Sequence, residues 1–341
     1  MTRLLRIGVY TGLFAFSAFV AAAGYVYYLS LPVDDSDSDP VAFRIESGES
    51  VGRIVKRLEQ AQLVRSVLPL RVISKLSSSD TRFQHGNYAL RRSMSAVQIH
   101  DHLVSGNQVL TRVTIPEGRT TRQIAGILER SGVTPADEFL AAATNTALLE
   151  KLRVPAESAD GYVFPDTYLF PEEYPAELVL RTMVSGFFDN LERVDPRFRD
   201  LDPEELHERV IVASIVEREY ITDEEAPLIA SVFYNRLEAK MRLESCATVV
   251  YVMTEEEGLP HPDRLFYRDL ERQSEYNTYL HSGLPPGPIA NPGAVSLNAA
   301  LNPADSDYWF FVLRGPNAKE HYFSRTLHEH NQATVLYLRS P

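Results

Sequence analysis

The chain is expected to be an α+β protein: an N-terminal transmembrane helix, a small α+β module and a larger α+β catalytic domain. Three observations predict this. No charged residue occurs from Ile7 to Leu31. A strand-turn-helix pattern occurs twice, seventy residues apart, around Gly48 and Gly118. Finally, apolar helical stretches in the second half are separated by loops rich in proline and glycine.

The uncharged run is long enough to cross a hydrocarbon core of about 30 Å with some tilt. Arg3 and Arg6 precede it, Tyr25, Tyr27 and Tyr28 cluster at its far end, and the acidic stretch Asp34–Asp39 follows. Basic before and acidic after predicts residues 1–6 in the cytoplasm, a span over 7–31 and the bulk of the chain outside. A signal peptide cleaved near Ala21–Ala23 is the alternative, but the apolar run continues past it.

Residues 32–40 read as a polar tether. Residues 41–105 read as a module: a strand and turn from Phe43, a helix bearing Ile54 and Leu58, a helix over 68–76, a strand over 86–90 and a helix over 95–104. It is either a spacer or a glycan-binding module. Ile45, Gly48, Ile54 and Leu58 correspond at constant offset to Ile115, Gly118, Ile124 and Leu128, a weak internal repeat. Residues 106–160 then form a connecting α/β segment, helical over 136–152. The stretch from Asp160 to Pro171 carries Tyr162, Phe164, Tyr168 and Phe170, about half of them expected in the core. Residues 161–341 form the catalytic domain.

A helix is predicted from Pro203 to about Tyr220, with Asp202 as N-cap and Glu205 at its third position. Its middle is apolar all round, as in a helix buried on every side. Glu217 extends the stripe of Leu206, Val210 and Ala213. Burial and the negative end of the helix dipole both raise a carboxyl pKa there. Two readings stay open: a salt bridge with Arg218 or Arg236, or an acid kept protonated for glycosidic-bond cleavage. Glu219, two residues on, faces away, so no facing carboxylate pair is evident. Thr222–Glu225 reads as a capping box for the next helix, which presents Asn235 and Arg236 near its end. Tyr276–Gly293 is a proline-stiffened loop whose Tyr276, Asn277, Thr278 and Tyr279 offer the hydroxyl and amide groups a sugar needs.

The net charge of −12 argues against a nucleic-acid partner. The single cysteine, Cys246, excludes an intrachain disulfide and a cysteine-rich zinc site. His328 and His330 are two residues apart, so His321, His328 and His330 do not give zinc spacing.

The stretches "GYVFPDTY", "ASIVEREY", "IASVFYNRL", "YNTYLHSGLPPGPIANPG" and "HYFSRTLHEHN" resemble, in order and spacing, the family of membrane-anchored, YceG-like endolytic murein transglycosylases. The resemblance implies several expectations. Residues 41–105 would be a LysM-like module. The activity would be lyase cleavage of nascent peptidoglycan strands between MurNAc and GlcNAc, leaving 1,6-anhydro ends. Glu217, in "SIVE", would be the catalytic residue. Tyr234, Asn235, Arg236, Thr248, Tyr276, Asn277, Thr278, Tyr279 and Asn291 would bind substrate. The catalytic domain would lie in the periplasm, tethered to the inner membrane, with peptidoglycan synthases as partners and no cofactor or metal. The chain departs from the family pattern at Glu244 and Cys246, where Gln and Asp are usual. A muramidase using the same acid, or a glycan-binding scaffold without activity, are the alternatives.

Overall fold

The computed structural model describes residues 2–37, 39–46, 48–76, 83–315 and 317–338. The chain divides into two compact units, Met1–Thr111 with Pro171–Glu173, and Arg112–Phe170 with Tyr174–Pro341.

The first unit begins with helix α1 (Thr2–Ser30). Its stretch Gly12–Ser30 has a mean hydropathy of 1.5 and is long and apolar enough to cross a membrane. Strand β1 (Val41–Ile45) turns Phe43 and Ile45 inward. It pairs antiparallel with β2 (Gly86–Leu90), in a register running from Val41 opposite Leu90 to Ile45 opposite Gly86. Between the strands lie α2 (Val51–Gln60) and α3 (Val67–Leu76), and α4 (Ala96–Ser105) follows. A reciprocal Ser95–Gln98 capping box starts α4, and left-handed Gly106 ends it. Ile54, Leu58, Leu70, Tyr88, Ile99 and Leu103 fill the core of this unit.

Strand β3 (Leu110–Thr114) pairs with β4 (Thr167–Pro171), and most of both strands belongs to the second unit. Helix α5 (Thr121–Arg130) opens on a Thr120–Gln123 capping box. The internal repeat is structural. Ile115, Ile124 and Leu128 are buried as Ile45, Ile54 and Leu58 are, and Gly118 and Gly48 both have positive φ, 69° and 76°. The single helix expected over 136–152 is two, α6 (Ala136–Ala143) and α7 (Thr146–Leu152). Asn145 breaks the run because its side chain accepts the Leu148 N–H and caps α7. Tyr162, Phe164 and Phe170 are buried and Tyr168 half-buried, so this stretch is more fully core than expected.

The remaining helices are α8 (Ala176–Val194), α9 (Pro203–Val216), α10 (Ala226–Glu238), α11 (Cys246–Tyr251), α12 (Ala294–Leu301) and α13 (Leu327–Leu338). Strands β5 (Phe310–Leu313) and β6 (His321–Ser324) form a hairpin before α13. Val210 to Val216 are all buried, and α12 and α10 pack on α9. Each large apolar side chain buried this way contributes about 1.5–3 kcal/mol, which fixes α9 as the central rod. Ile115, Ile124 and Leu128, from the segment expected to connect over 106–160, share one core with Val210 and Ile211. That brings the loop after β3 to the end of α9.

Candidate active site

Helix α9 ends at Val216, earlier than expected, and Glu217 is its C-cap. The side chains of Ser214 and Glu217 are three residues apart and so share one face of the helix end. The segment 289–293 is fastened to that face. Ser214 Oγ accepts the Ile289 N–H at 3.0 Å, and Glu217 Oε2 accepts the Gly293 N–H at 2.9 Å. Between them, Asn291 reaches the other way. Its Oδ1 accepts the Val163 N–H at 2.9 Å, and its Nδ2 donates to the Arg119 carbonyl at 2.9 Å and to Thr121 Oγ1 at 3.3 Å. The "SIVE" pattern thus reads as a clamp: the serine and the acid each take one backbone N–H of the proline-rich loop.

Glu217 is half-buried. Burial raises its pKa above the ordinary carboxylate value, and the negative charge of Glu117 pushes in the same direction. Opposing this are the Ser296 hydroxyl, which donates to Oε2 at 2.5 Å, the Gly293 N–H and the Arg218 charge. Ser296 lies in the first turn of α12, whose N-terminus also favours an anion. The surroundings therefore shift the carboxyl towards its protonated form, while two donors stand ready for the anion left once the proton has gone. That combination suits a general acid. Ser296→Ala should raise the Glu217 pKa further and remove one of those donors. The basic limb of its pH–rate profile should move to higher pH while the maximal rate falls, and a rate profile over pH checks both.

Glu117, Gly293 and Ser296 did not stand out in the sequence. Glu117 lies on the turn between β3 and α5, where Gly118 is left-handed. Gly118 N–H donates to the Asn291 carbonyl at 3.0 Å, and the Asn291 N–H donates to the Arg119 carbonyl at 2.9 Å. The usable signal was in the repeat: position 117 is the counterpart of Ser47, so the residue just before the turn glycine is an acid only in the second copy.

Glu219 leaves the helix end in another direction, accepting from Ser245 Oγ at 2.5 Å, and burial raises its pKa too. It lines a cavity of about 470 Å³ with Arg236, Glu244, Tyr279, Phe310 and His321. Cys246, an exposed residue, also lines this cavity, with its Sγ 3.1 Å from the Tyr279 hydroxyl. A larger cavity of about 700 Å³ reaches α9 at Leu206, about 16 Å along the helix from Glu217.

The expected substrate-binding residues divide. Arg236 and Tyr279 line the smaller cavity. Tyr276 lies against Tyr251, ring centres 4.7 Å apart. The others direct polar groups into the protein. Tyr234 donates to the Ala300 carbonyl, and Asn235 donates to the Ser306 and Tyr308 carbonyls. Thr248 and Thr278 hydroxyls pair at 2.9 Å, and Asn277 donates to the Leu270 and Arg272 carbonyls. Asn291 is 1% exposed. The capping box expected at Thr222–Glu225 is not formed: Glu225 caps α10 without a side-chain bond. Its carboxylate is taken instead by His321, Oε2 to Nδ1 at 2.9 Å. His330 stacks on Phe310, and His328 Nε2 lies 2.9 Å from Gln332 Nε2.

Comparison with known proteins agrees with this architecture. The family model described as the YceG-like family matches residues 43–335. A protein of Bacillus subtilis (strain 168), named endolytic murein transglycosylase, is 31% identical over 342 residues, covering 94% of this chain and 92% of its own length. A protein of the same name from Streptococcus pneumoniae serotype 2 is 30% identical over 351 residues, covering 93% of this chain and 62% of that longer relative. The crystal structure of a yceG-like protein from Listeria monocytogenes matches with a TM-score of 0.57 and 31% identity, over 86% of this chain and 99% of that one. The chain belongs to the YceG-like family.

Proposed function

We propose that the protein is an endolytic peptidoglycan transglycosylase, a lyase, tethered to the membrane by α1. One observation carries the reading: a half-buried carboxyl at a helix end, its pKa raised by burial, accepts hydrogen bonds from two donors that favour its anion. Glu217 gives its proton to the oxygen between MurNAc and GlcNAc. The Gly293 N–H and Ser296 O–H then stabilise the carboxylate as charge develops on it. The C6 hydroxyl of the MurNAc closes on C1, and a 1,6-anhydro end results. That hydroxyl is tethered to the reacting ring, so its effective concentration exceeds that of water. Arg236 and Tyr279 contact the glycan in the smaller cavity. Tyr234, Asn235, Thr248, Asn277, Thr278 and Asn291 support the walls, and Tyr276 forms part of the loop beside them.

The order strand, helix, helix, strand over 41–90 supports a LysM-like module that binds glycan. The basic flank and acidic sequel of α1 support a cytoplasmic N-terminus and a periplasmic catalytic domain. Peptidoglycan synthases are the natural partners of an enzyme that ends nascent strands. Removing residues 1–31 should give a folded, active protein that no longer sediments with membranes; a truncated chain that still does so contradicts the anchor.

One observation favours a second reading, a muramidase: Glu117 gives the site a second carboxylate, and glycoside hydrolysis ordinarily uses two. Purified full-length glycan strands decide the activity itself. The protein should shorten them from within, and strands left at their original length after prolonged incubation refute both readings and leave a binding role.

A further inference from the structure

Glu117 comes from a turn a hundred residues before Glu217 in the chain, and Gly293 lies between the two carboxyl groups. Gly293 N–H is bonded to Glu217, and a Cβ at position 293 would overlap the Glu117 side chain along its outer half, meeting Cγ, Cδ and Oε1 below 3 Å. Gly293 has φ −83°, ordinary for any residue. The close approach of Glu117, not the backbone conformation, is what requires a glycine. These contacts place Glu117 Oε1 and Glu217 Oε2 within about 7 Å of each other. Two carboxyl groups this close can act on the same glycosidic centre.

Their surroundings differ. Glu217 is half-buried and Glu117 is exposed. The Glu117 turn is held by the Gly118 and Asn291 backbone bonds, and Arg218 Nη1 donates to the Gly118 carbonyl at 3.3 Å. The groups facing Glu217 are Glu117 on this turn, Arg218 and Tyr220 beyond α9, and the Gly293 N–H and Ser296 at α12. Glu117 is the only carboxylate among these, and its charge adds to burial in raising the Glu217 pKa.

We propose that Glu117 is the catalytic base of the reaction and Glu217 its acid, so that the two proton transfers are divided between two carboxyl groups. The proposal rests on the functional reading above. First, the Glu217 carboxyl proton passes to the glycosidic oxygen and the C1–O bond breaks, leaving an oxocarbenium ion at C1. The C6 oxygen bonds to C1, and its proton passes to the Glu117 carboxylate. The products are a 1,6-anhydro end and a free C4 hydroxyl. Solvent then takes the proton from Glu117 and returns one to Glu217, with no net change in the enzyme.

The test uses the full-length protein in detergent with purified glycan strands. Glu117→Ala should lower kcat about a hundredfold or more, the usual weight of a general base, with KM little changed. Added formate, a small carboxylate that fits the vacated space, should restore at least a tenth of the lost rate. Glu117→Gln, nearly isosteric, should show the same loss. Gly293→Ala keeps both carboxyl groups but drives Glu117 aside, and should lose about tenfold. A Glu117→Ala rate within threefold of wild type overturns the proposal. Full recovery of the rate at lower pH overturns it too, since Glu117 would then act only through its charge on Glu217. So does a loss that formate does not reverse, which marks a structural role. An inactive wild-type protein refutes the functional reading instead, whereas an active wild type with an active Glu117→Ala refutes this proposal alone.

Discussion

Glu217→Gln protein is expected to fold, to bind glycan strands and to cleave none. An amide cannot give up a proton to the leaving oxygen, and losing the general acid costs at least 10²–10⁴ in rate. Its carbonyl oxygen can still accept the Gly293 N–H and the Ser296 hydroxyl, so the clamp on the loop survives. The stability change has a definite sign. The fold raises the Glu217 pKa, chiefly by burial. Folding therefore favours the protonated form: the carboxyl's contribution is intact below the ordinary carboxylate range and is lost as pH rises through the folded pKa. An amide has no such loss. The variant should be more stable than wild type near neutral pH, and the gap should close on acidification. Thermal melts at several pH values check this; a variant less stable than wild type at neutral pH contradicts the burial argument.

Asn291→Ala should have the largest effect on stability. The side chain joins three separated parts of the chain, Val163, Arg119 and Thr121. Truncation leaves the Val163 N–H without its acceptor in a buried place. Two good hydrogen bonds and one long one removed from a buried site cost about 2–4 kcal/mol. Cleavage should fall as well, because the same residue holds the turn that carries Glu117. Denaturant unfolding measures the first effect. An unchanged midpoint with a raised KM would instead make Asn291 a substrate contact.

Much of the molecule is local and could be read locally. The repeated strand-turn-helix pattern, the two strands of the first unit and the buried run of α9 follow from periodicity and from glycine at a left-handed turn. Glu217 could be found because it sits on the apolar stripe of its own helix. What escaped is long-range. Nothing near Glu117 in the sequence says that Gly118 pairs with Asn291, so the acid looked like part of a connector. The partners of Glu217, Gly293 and Ser296, lie more than seventy residues on. Glu225 looked like part of a cap because its partner, His321, lies ninety-six positions away. Asn291 and Asn277 read as sugar-binding amides because amides serve both roles; only the fold shows that their donors already meet backbone carbonyls.

On the proposed reading, the acid at Glu217 works with an internal nucleophile of the substrate. Mass spectrometry of a complete digest of purified glycan strands tests it most directly. New ends should be 1,6-anhydromuramoyl, about 18 Da lighter than hydrolysed ends, since an internal hydroxyl replaces water as the nucleophile. A digest dominated by reducing ends would contradict the claim: Glu117 would then be activating water, and the protein would be a muramidase.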